Sequence, residues 1–385
     1  MAAVAANTLV LILLNCLNDG IMSGAVNNVT SVLIGDAQLH HPDYLDSRSF
    51  YDTLEAPEAF SKAAAARGYK IAPRSFGHGL VALESKSAGA TVWGVDPVAE
   101  RAAFSLPTKL KKGRFLGDAA EGEVVIGARL ARTLNADLGA ELVLLVQAAD
   151  GSMGNALYRV VGVLASVGDA VDRSGLLMHR DDFSELFVAP GKVHEIAIRA
   201  PAGQPLEITM AALQPLRGEA QLKSWKGMVP AFADMVDMNS QINVLFGLIF
   251  ALAAGLGVMN TMLMATYDRV REFGVLRALG ASPFRILRGI TAEALVLAVV
   301  ASAIGTVMGV AGAYYFQIVG IDLSGIAGDG IVMSGTVMDT VLRAQISFEA
   351  VILAPILMLV MCPLASLYPA VKAARLDPVN AMNHA

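Results

Sequence analysis

"MNTMLMATYDRVREFGVLRALGASPFRIL", residues 259–287, opens as a stretch suited to lipid and then, one step past Tyr267, fills with charge. An arginine at the bilayer centre costs roughly 2.5 to 3.5 kcal/mol, and Arg269, Arg271, Arg277 and Arg285 all fall here. The stretch therefore cannot be one lipid-buried segment. Between the charges, Val270, Phe273, Leu276 and Leu279 recur at every third residue, beside Gly274 and Val275. That spacing predicts an amphipathic helix over residues 269–279, stopped by Gly280, with Ser282-Pro283 suited to start the next helix. Such a helix either lies on the headgroups or sets its face in a groove of another protein.

The rest of the chain says what the helix connects. Its 385 residues are 55% apolar with a mean hydropathy of +0.55, too high for an ordinary soluble protein. The apolar residues gather at the two ends, while residues 31–234 carry a normal mixture of Asp, Glu, Lys and Arg. That middle reads as a soluble domain large enough for its own core. A net charge of −5 without a long basic tract gives no footprint for nucleic acid. The two cysteines, Cys16 and Cys362, both lie in apolar runs, so no disulfide framework is expected in the domain. The N-terminal run lacks the Lys or Arg of a secretory signal and reads as a retained membrane span.

No charged residue lies between Asp237 and Asp268, between Glu293 and Asp322, or between Glu349 and Lys372. Each interval exceeds the roughly 20 helical residues that a bilayer core requires. The first run is shorter, ending at Asn18-Asp19 and interrupted by Asn7 and Asn15; it is expected to be a first span that is short at its cytoplasmic end. The loop between the second and third spans holds Arg269, Arg271, Arg277, Arg285 and Arg288 against Asp268 and Glu272, whereas the next loop holds Arg343 against Asp322, Asp329 and Asp339. By the positive-inside rule the arginine loop is cytoplasmic and the large domain lies outside. The second charge-free run would be about 45 Å long as a helix at roughly 1.5 Å per residue, so it is expected to extend beyond the membrane as a stalk.

Within the domain, alternation predicts strands near 80–84, 90–95, 142–147, 158–164 and 194–199 and helices near 57–67, 126–134 and 206–213, an α+β mixture. The segment "HHPDY" brings His40, His41 and Asp43 together, but a strand turning at Pro42 accounts for the same letters. His194-Glu195 lacks the second histidine of a zincin, and neither G-x-S-x-G nor G-x-x-x-x-G-K-[ST] occurs; Gly191-Lys192 is followed by Val193. No catalytic residue, metal site or resident cofactor is expected. Gly305 and Gly309 form a small-xxx-small pair in the third span, read as packing within the bundle, and Pro355 and Pro363 read as kinks in the fourth.

Residues 259–295, with Asn260-Thr261-Met262, Arg269-Val270-Arg271-Glu272-Phe273-Gly274 and Leu276-Arg277-Ala278-Leu279-Gly280-Ala281, resemble the loop signature of FtsX/MacB-type ABC transporter permeases. The tail "YPAVKAARLDPVNAM" resembles that family's closing motif, and residues 113–151 are similar to its outer domain, especially in the lipoprotein-releasing (LolC/LolE-like) branch. The basic segment that usually precedes the first span does not appear ahead of Ala2. The resemblance implies a membrane α-helical protein with four transmembrane helices and a large α+β extracytoplasmic domain, the periplasmic core, between the first and second spans. It implies a dimer with a second permease copy or paralogue, and a cytoplasmic ABC ATPase dimer that binds the ATP and Mg this chain does not. Carried onto this sequence, the coupling positions are Arg271, Glu272, Phe273, Gly274, Arg277, Leu279 and Gly280.

The organisation expected is a first transmembrane helix at 1–24, the outer domain at 25–235, a second helix with its stalk at 236–266, and the coupling loop at 267–289. A third helix follows at 290–316, an outer loop at 317–346, a fourth helix at 347–371 and a cytoplasmic tail at 372–385. The expected role is non-catalytic: a permease in the bacterial inner membrane, in contact with lipid, that couples a partner's ATP hydrolysis to movement of its periplasmic domain. Lipoprotein release, or related envelope export, would involve a lipoprotein substrate and a periplasmic chaperone or adaptor. The alternative is an FtsX-like signalling scaffold that regulates a cell-wall hydrolase.

Overall fold

The computed structural model describes residues 1–322, 331–333, 336–338 and 341–375. Asp329 and Asp339 of the acidic loop, and Asp377-Pro378 of the tail motif, lie outside the described residues. The chain divides into a helical unit, built from Met1–Gly24 and most described residues after Asp234, and an α+β unit holding Ala25–Asp234.

Among the described residues four helices are long and apolar enough to cross a membrane: Ala2–Val29, Pro230–Asp268, Pro283–Val319 and Phe348–Ala374. The first does not stop at Asn18 and Asp19, where its apolar run ends. Asn18 donates to Asn243 Oδ1 of the second helix (2.7 Å) and Asp19 accepts from the Ser347 hydroxyl (2.6 Å), so both polar groups are satisfied without breaking the helix. Asn7 likewise donates to the Phe250 carbonyl (2.9 Å). Ser347 also caps the fourth helix, accepting from Ala350 N–H (3.1 Å). Pro355, Pro363 and Pro369 lie within that helix.

Gly305 and Gly309 sit on the face of the third helix that meets the first. A Cβ on Gly305 would come within 2.5 Å of the Ala5 carbonyl oxygen, and one on Gly309 within 3.0 Å of Ile12 Cβ. The missing side chains are what let the two backbones approach. Leu11, Ile12, Cys16, Ala251, Ala301 and Met358 are buried in the core shared by the four helices.

Among the described residues the main sheet of the α+β unit has ten strands: β1 (Ala37–His40), β2 (Lys70–Leu83), β3 (Lys86–Val95), β4 (Leu110–Gly113), β5 (Glu123–Ile126), β6 (Glu141–Gln147), β7 (Met153–Leu164), β8 (Gly175–His179), β9 (Glu195–Arg199) and β10 (Gln221–Ser224). They run in the order β10-β1-β9-β2-β3-β8-β5-β7-β4, and β6 bridges β2 and β7. Strand β2 belongs to two lobes because of its length. Its first half, Lys70 to Arg74, pairs with β9, while Gly79 to Ala82 pair with β6. The second half thereby joins a closed ring of β2, β3, β8, β5, β7 and β6, filled by Val81, Val92, Ile126, Leu142, Leu144 and Met178. The first half joins the antiparallel set β10-β1-β9, over which Phe60 of helix Pro57–Ala65 and Leu213 of helix Leu206–Leu213 pack on Leu39, Ile196 and Ile198. The strands expected near 80–84, 90–95, 142–147, 158–164 and 194–199 are all present, and the first, second and fourth are parts of longer strands.

The strand that opens the domain and the strand that closes it are neighbours: Ala37 pairs with Ser224 and His40 with Gln221. Both connections of the domain to its flanking helices therefore leave from one edge of the sheet.

Candidate functional site

The arginine-rich loop folds into a short helix, Val270–Ala278. Arg269 precedes it, donating through Nε to Glu272 Oε2 (3.0 Å) and through Nη1 to Glu293 Oε2 (3.2 Å), with its guanidinium 5.4 Å from the Phe273 ring centroid. One arginine thus ties the start of this helix to the third long helix. At the other end Gly280 adopts φ +89°. Gly280 N–H bonds to Arg277 O (3.1 Å) and Ala281 N–H to Leu276 O (3.0 Å), the paired bonds of a left-handed helix stop that needs glycine at this position.

The ridge expected from every-third-residue spacing is not one ridge. At 3.6 residues per turn, nine residues make about two and a half turns, so Val270 and Leu279 face opposite sides. Val270 and Phe273 are each 6% exposed, and Phe273 packs with Ile286, Ile290, Ala370 and Ala373 at the ends of the third and fourth helices. Phe273 and Gly274 are consequently buried against the helical bundle. Leu276 is 46% and Leu279 80% exposed, with Val275 and Phe284 also open. Arg271 and Glu272 are exposed beside them, while Arg277 is half-buried and turns back to the Ala281 carbonyl (3.4 Å). The loop therefore has an inner face that fixes it to the bundle and an outer face of apolar groups flanked by ions.

A second constellation escaped the sequence reading. Just after the first long helix the chain makes a π-turn, Thr30–Ile34. Arg74 of β2 is buried beneath it, donating to Glu100 through Nε (2.6 Å) and Nη2 (3.1 Å), and through Nη1 to Glu195 (3.0 Å) and the Leu33 carbonyl (2.5 Å). Gln38 continues the network, donating to the Ile34 carbonyl (2.8 Å), and His40 bonds Gln38 (2.9 Å). Arg199 adds an outer tie from Nη1 to Thr30 Oγ1 (2.8 Å) and to Asp36 (3.1 Å). Burial alone would lower the Arg74 pKa, but the Glu100 and Glu195 charges hold it well above its ordinary value. The one available signal was a basic residue at an inward position of an apolar strand.

The candidate metal letters are placed apart in function: His40 is fully buried, whereas His41 Nδ1 accepts from Asp43 N–H (3.3 Å) at the surface. Burial, with lesser help from Arg48 and Lys223, lowers the His40 pKa to about 4. Among the described residues no group of three or more His, Cys, Asp or Glu side chains is placed to hold a metal.

Four apolar helices and an α+β domain inserted after the first define a multi-pass membrane protein, and family comparison places it further. The MacB-like periplasmic core domain model matches residues 1–216 and the FtsX-like permease C-terminal model matches residues 244–378. The chain belongs to the FtsX/MacB-type family of ABC transporter permeases, with its large domain of the periplasmic core type. It is similar to the lipoprotein-releasing system transmembrane protein LolC of Xylella fastidiosa, 22% identical over 76% of this chain and 72% of the relative. It is also similar to an uncharacterized ABC transporter permease of Methanocaldococcus jannaschii, 23% identical over 58% of this chain and 54% of the relative. The pyoverdine export ATP-binding/permease protein PvdT of Pseudomonas entomophila is 28% identical over 60% of this chain. The chain spans about half the length of the Methanocaldococcus jannaschii relative and about a third of PvdT, at 54% and 34%.

Proposed function

We propose that this chain is the non-catalytic permease of an inner-membrane ABC transporter, in which a cytoplasmic ATPase grips helix Val270–Ala278 and drives movement of the periplasmic domain. ATP and Mg are bound by the ATPase, and the permease works as a dimer with a second copy or paralogue. The observation that carries this reading is the two-faced helix. Its inner face, through Phe273, is packed on the third and fourth helices, so a displacement applied to the outer face loads those helices directly. Its outer face presents Leu276 and Leu279, exposed apolar groups suited to a groove on a partner.

The cargo we propose is a lipid-anchored protein released from the outer leaflet, handed to a periplasmic carrier, with related envelope export as the broader class. Support comes from the match to LolC over most of both chains. Co-purification from mild detergent tests the assignment. An ABC ATPase should co-elute with the wild-type chain and be lost from the Leu276→Glu, Leu279→Glu double variant. Equal recovery of the ATPase with the wild type and the double variant would reject helix Val270–Ala278 as the gripping site.

A further inference from the structure

The α+β unit contains a cavity of about 500 Å³ beside its edge strand, lined by residues from β1, from residues 53–63 and from the turn before β10. That volume lies within the range of small-molecule sites. Its deep wall is apolar, with Leu39, Leu54 and Phe60 at 2%, 7% and 5% exposure. Arg217 stands at the mouth, half-buried, and uses one guanidinium nitrogen to donate to the nearby Ala220 carbonyl (3.0 Å). It makes no ion pair among the described residues, in contrast to Arg199, likewise half-buried, which is held by Asp36. Helix Pro57–Ala65 begins beside the same cavity; Ala56 offers no side-chain cap, and Glu58 stands in its first turn. His41 lines the mouth too; its Nδ1 is committed as an acceptor from Asp43 N–H, which leaves Nε2–H to donate.

We propose that this cavity binds a single-chain anionic amphiphile, an apolar chain ending in a carboxylate. The chain lies on Leu39, Leu54 and Phe60, and the carboxylate meets Arg217, with His41 Nε2–H as a second donor at the mouth. Glu55 and Glu219 also line the cavity, but both are exposed. Their charges are solvated and screened, whereas a half-buried guanidinium acts through a lower effective dielectric. The anion is therefore favoured over a cation. Because the walls include Leu39 in β1 and Ala220 next to β10, the occupant would bridge the two strands by which the chain enters and leaves the domain. The site is independent of the ATPase-docking reading.

The test uses the full chain in lipid nanodiscs with a decanoate carrying a terminal photoreactive diazirine, and adducts mapped by peptide mass spectrometry. Adducts are expected on Leu39 and residues 54–60, where the chain end lies, suppressed by decanoate and not by decyltrimethylammonium. Arg217→Gln should lower labelling there about tenfold, the loss of one charge-assisted contact, while Arg217→Lys keeps most of it. An unchanged melting temperature of both variants would exclude misfolding, as expected because the side chain holds only a local carbonyl. Adducts confined to the membrane helices, equal labelling of Arg217→Gln, or better competition by the ammonium compound would each overturn the proposal.

Discussion

Arg74 and Glu100 form a two-point ion pair in the interior of the α+β unit, Nε to Oε1 at 2.6 Å and Nη2 to Oε2 at 3.1 Å, with side chains 1% and 0% exposed. The same guanidinium holds the Leu33 carbonyl in the turn that follows the first long helix. It is therefore both a core group and the clamp at the root of that helix. Removing one partner of a buried pair strands the other charge, at a cost of roughly 3 to 5 kcal/mol. Glu100→Ala should lower stability by that amount, measured as thermal melting of the full chain in nanodiscs. A change below about 1 kcal/mol, the size of an exposed pair, would show that the clamp is hydrated.

Acid should loosen the same region. The His40 pKa is lowered to about 4 from an ordinary 6.5, chiefly by burial, so between those values the unfolded chain binds more protons than the folded one. Stability contributed by the neutral imidazole is present above pH 6.5 and lost as pH falls through 4, by about 3 kcal/mol in all. His194, fully buried, is lowered in the same direction by burial. Hydrogen exchange of β1 amides between pH 7 and 4 should show the loss, and His40→Gln should flatten it. A pH-independent wild type would count against a buried neutral His40.

The two faces of helix Val270–Ala278 should respond differently. Leu279→Glu places a charge on a residue 80% exposed and should leave melting within about 0.5 kcal/mol of wild type while abolishing ATPase recovery. Phe273→Ala removes a ring packed on Ile286 and Ala370 and should destabilise by roughly 3 to 5 kcal/mol. If Phe273→Ala melts like wild type, the inner face is not load-carrying as described.

Gly305→Leu should separate the first and third helices. Even a Cβ there would lie 2.5 Å from the Ala5 carbonyl oxygen, and overpacking of this kind costs about 1 to 3 kcal/mol. Cysteine pairs placed across the two helices should lose their cross-link yield in this variant and keep it in a variant at exposed Val307. Undiminished cross-linking in Gly305→Leu would contradict the close approach.

The spans were legible because charge-free runs of that length have few other solutions, and the strands of the ring because alternation survives in long segments such as β7. What escaped had specific causes. The lone Arg74 in "IAPRSFG" carries no periodic signal, and its partners are distant in sequence at Glu100 and Glu195. The first helix outran its apolar run because Asn18 and Asp19 found partners on Asn243 and Ser347, which no local rule anticipates. The short helix Val270–Ala278 was placed correctly in sequence but its apolar residues were read as one face, whereas a spacing of three drifts around a 3.6-residue turn and divides Phe273 from Leu279.

The most direct test of the account is the side of the membrane on which Leu279 lies and whether an ATPase covers it. Leu279→Cys can be labelled with a membrane-impermeant maleimide, since the natural cysteines are buried at 0% and 1% exposure. Reaction only in inverted vesicles, and protection when the ATPase is bound, is the predicted result. Reaction from the periplasmic side of intact spheroplasts, or labelling indifferent to the ATPase, would contradict it.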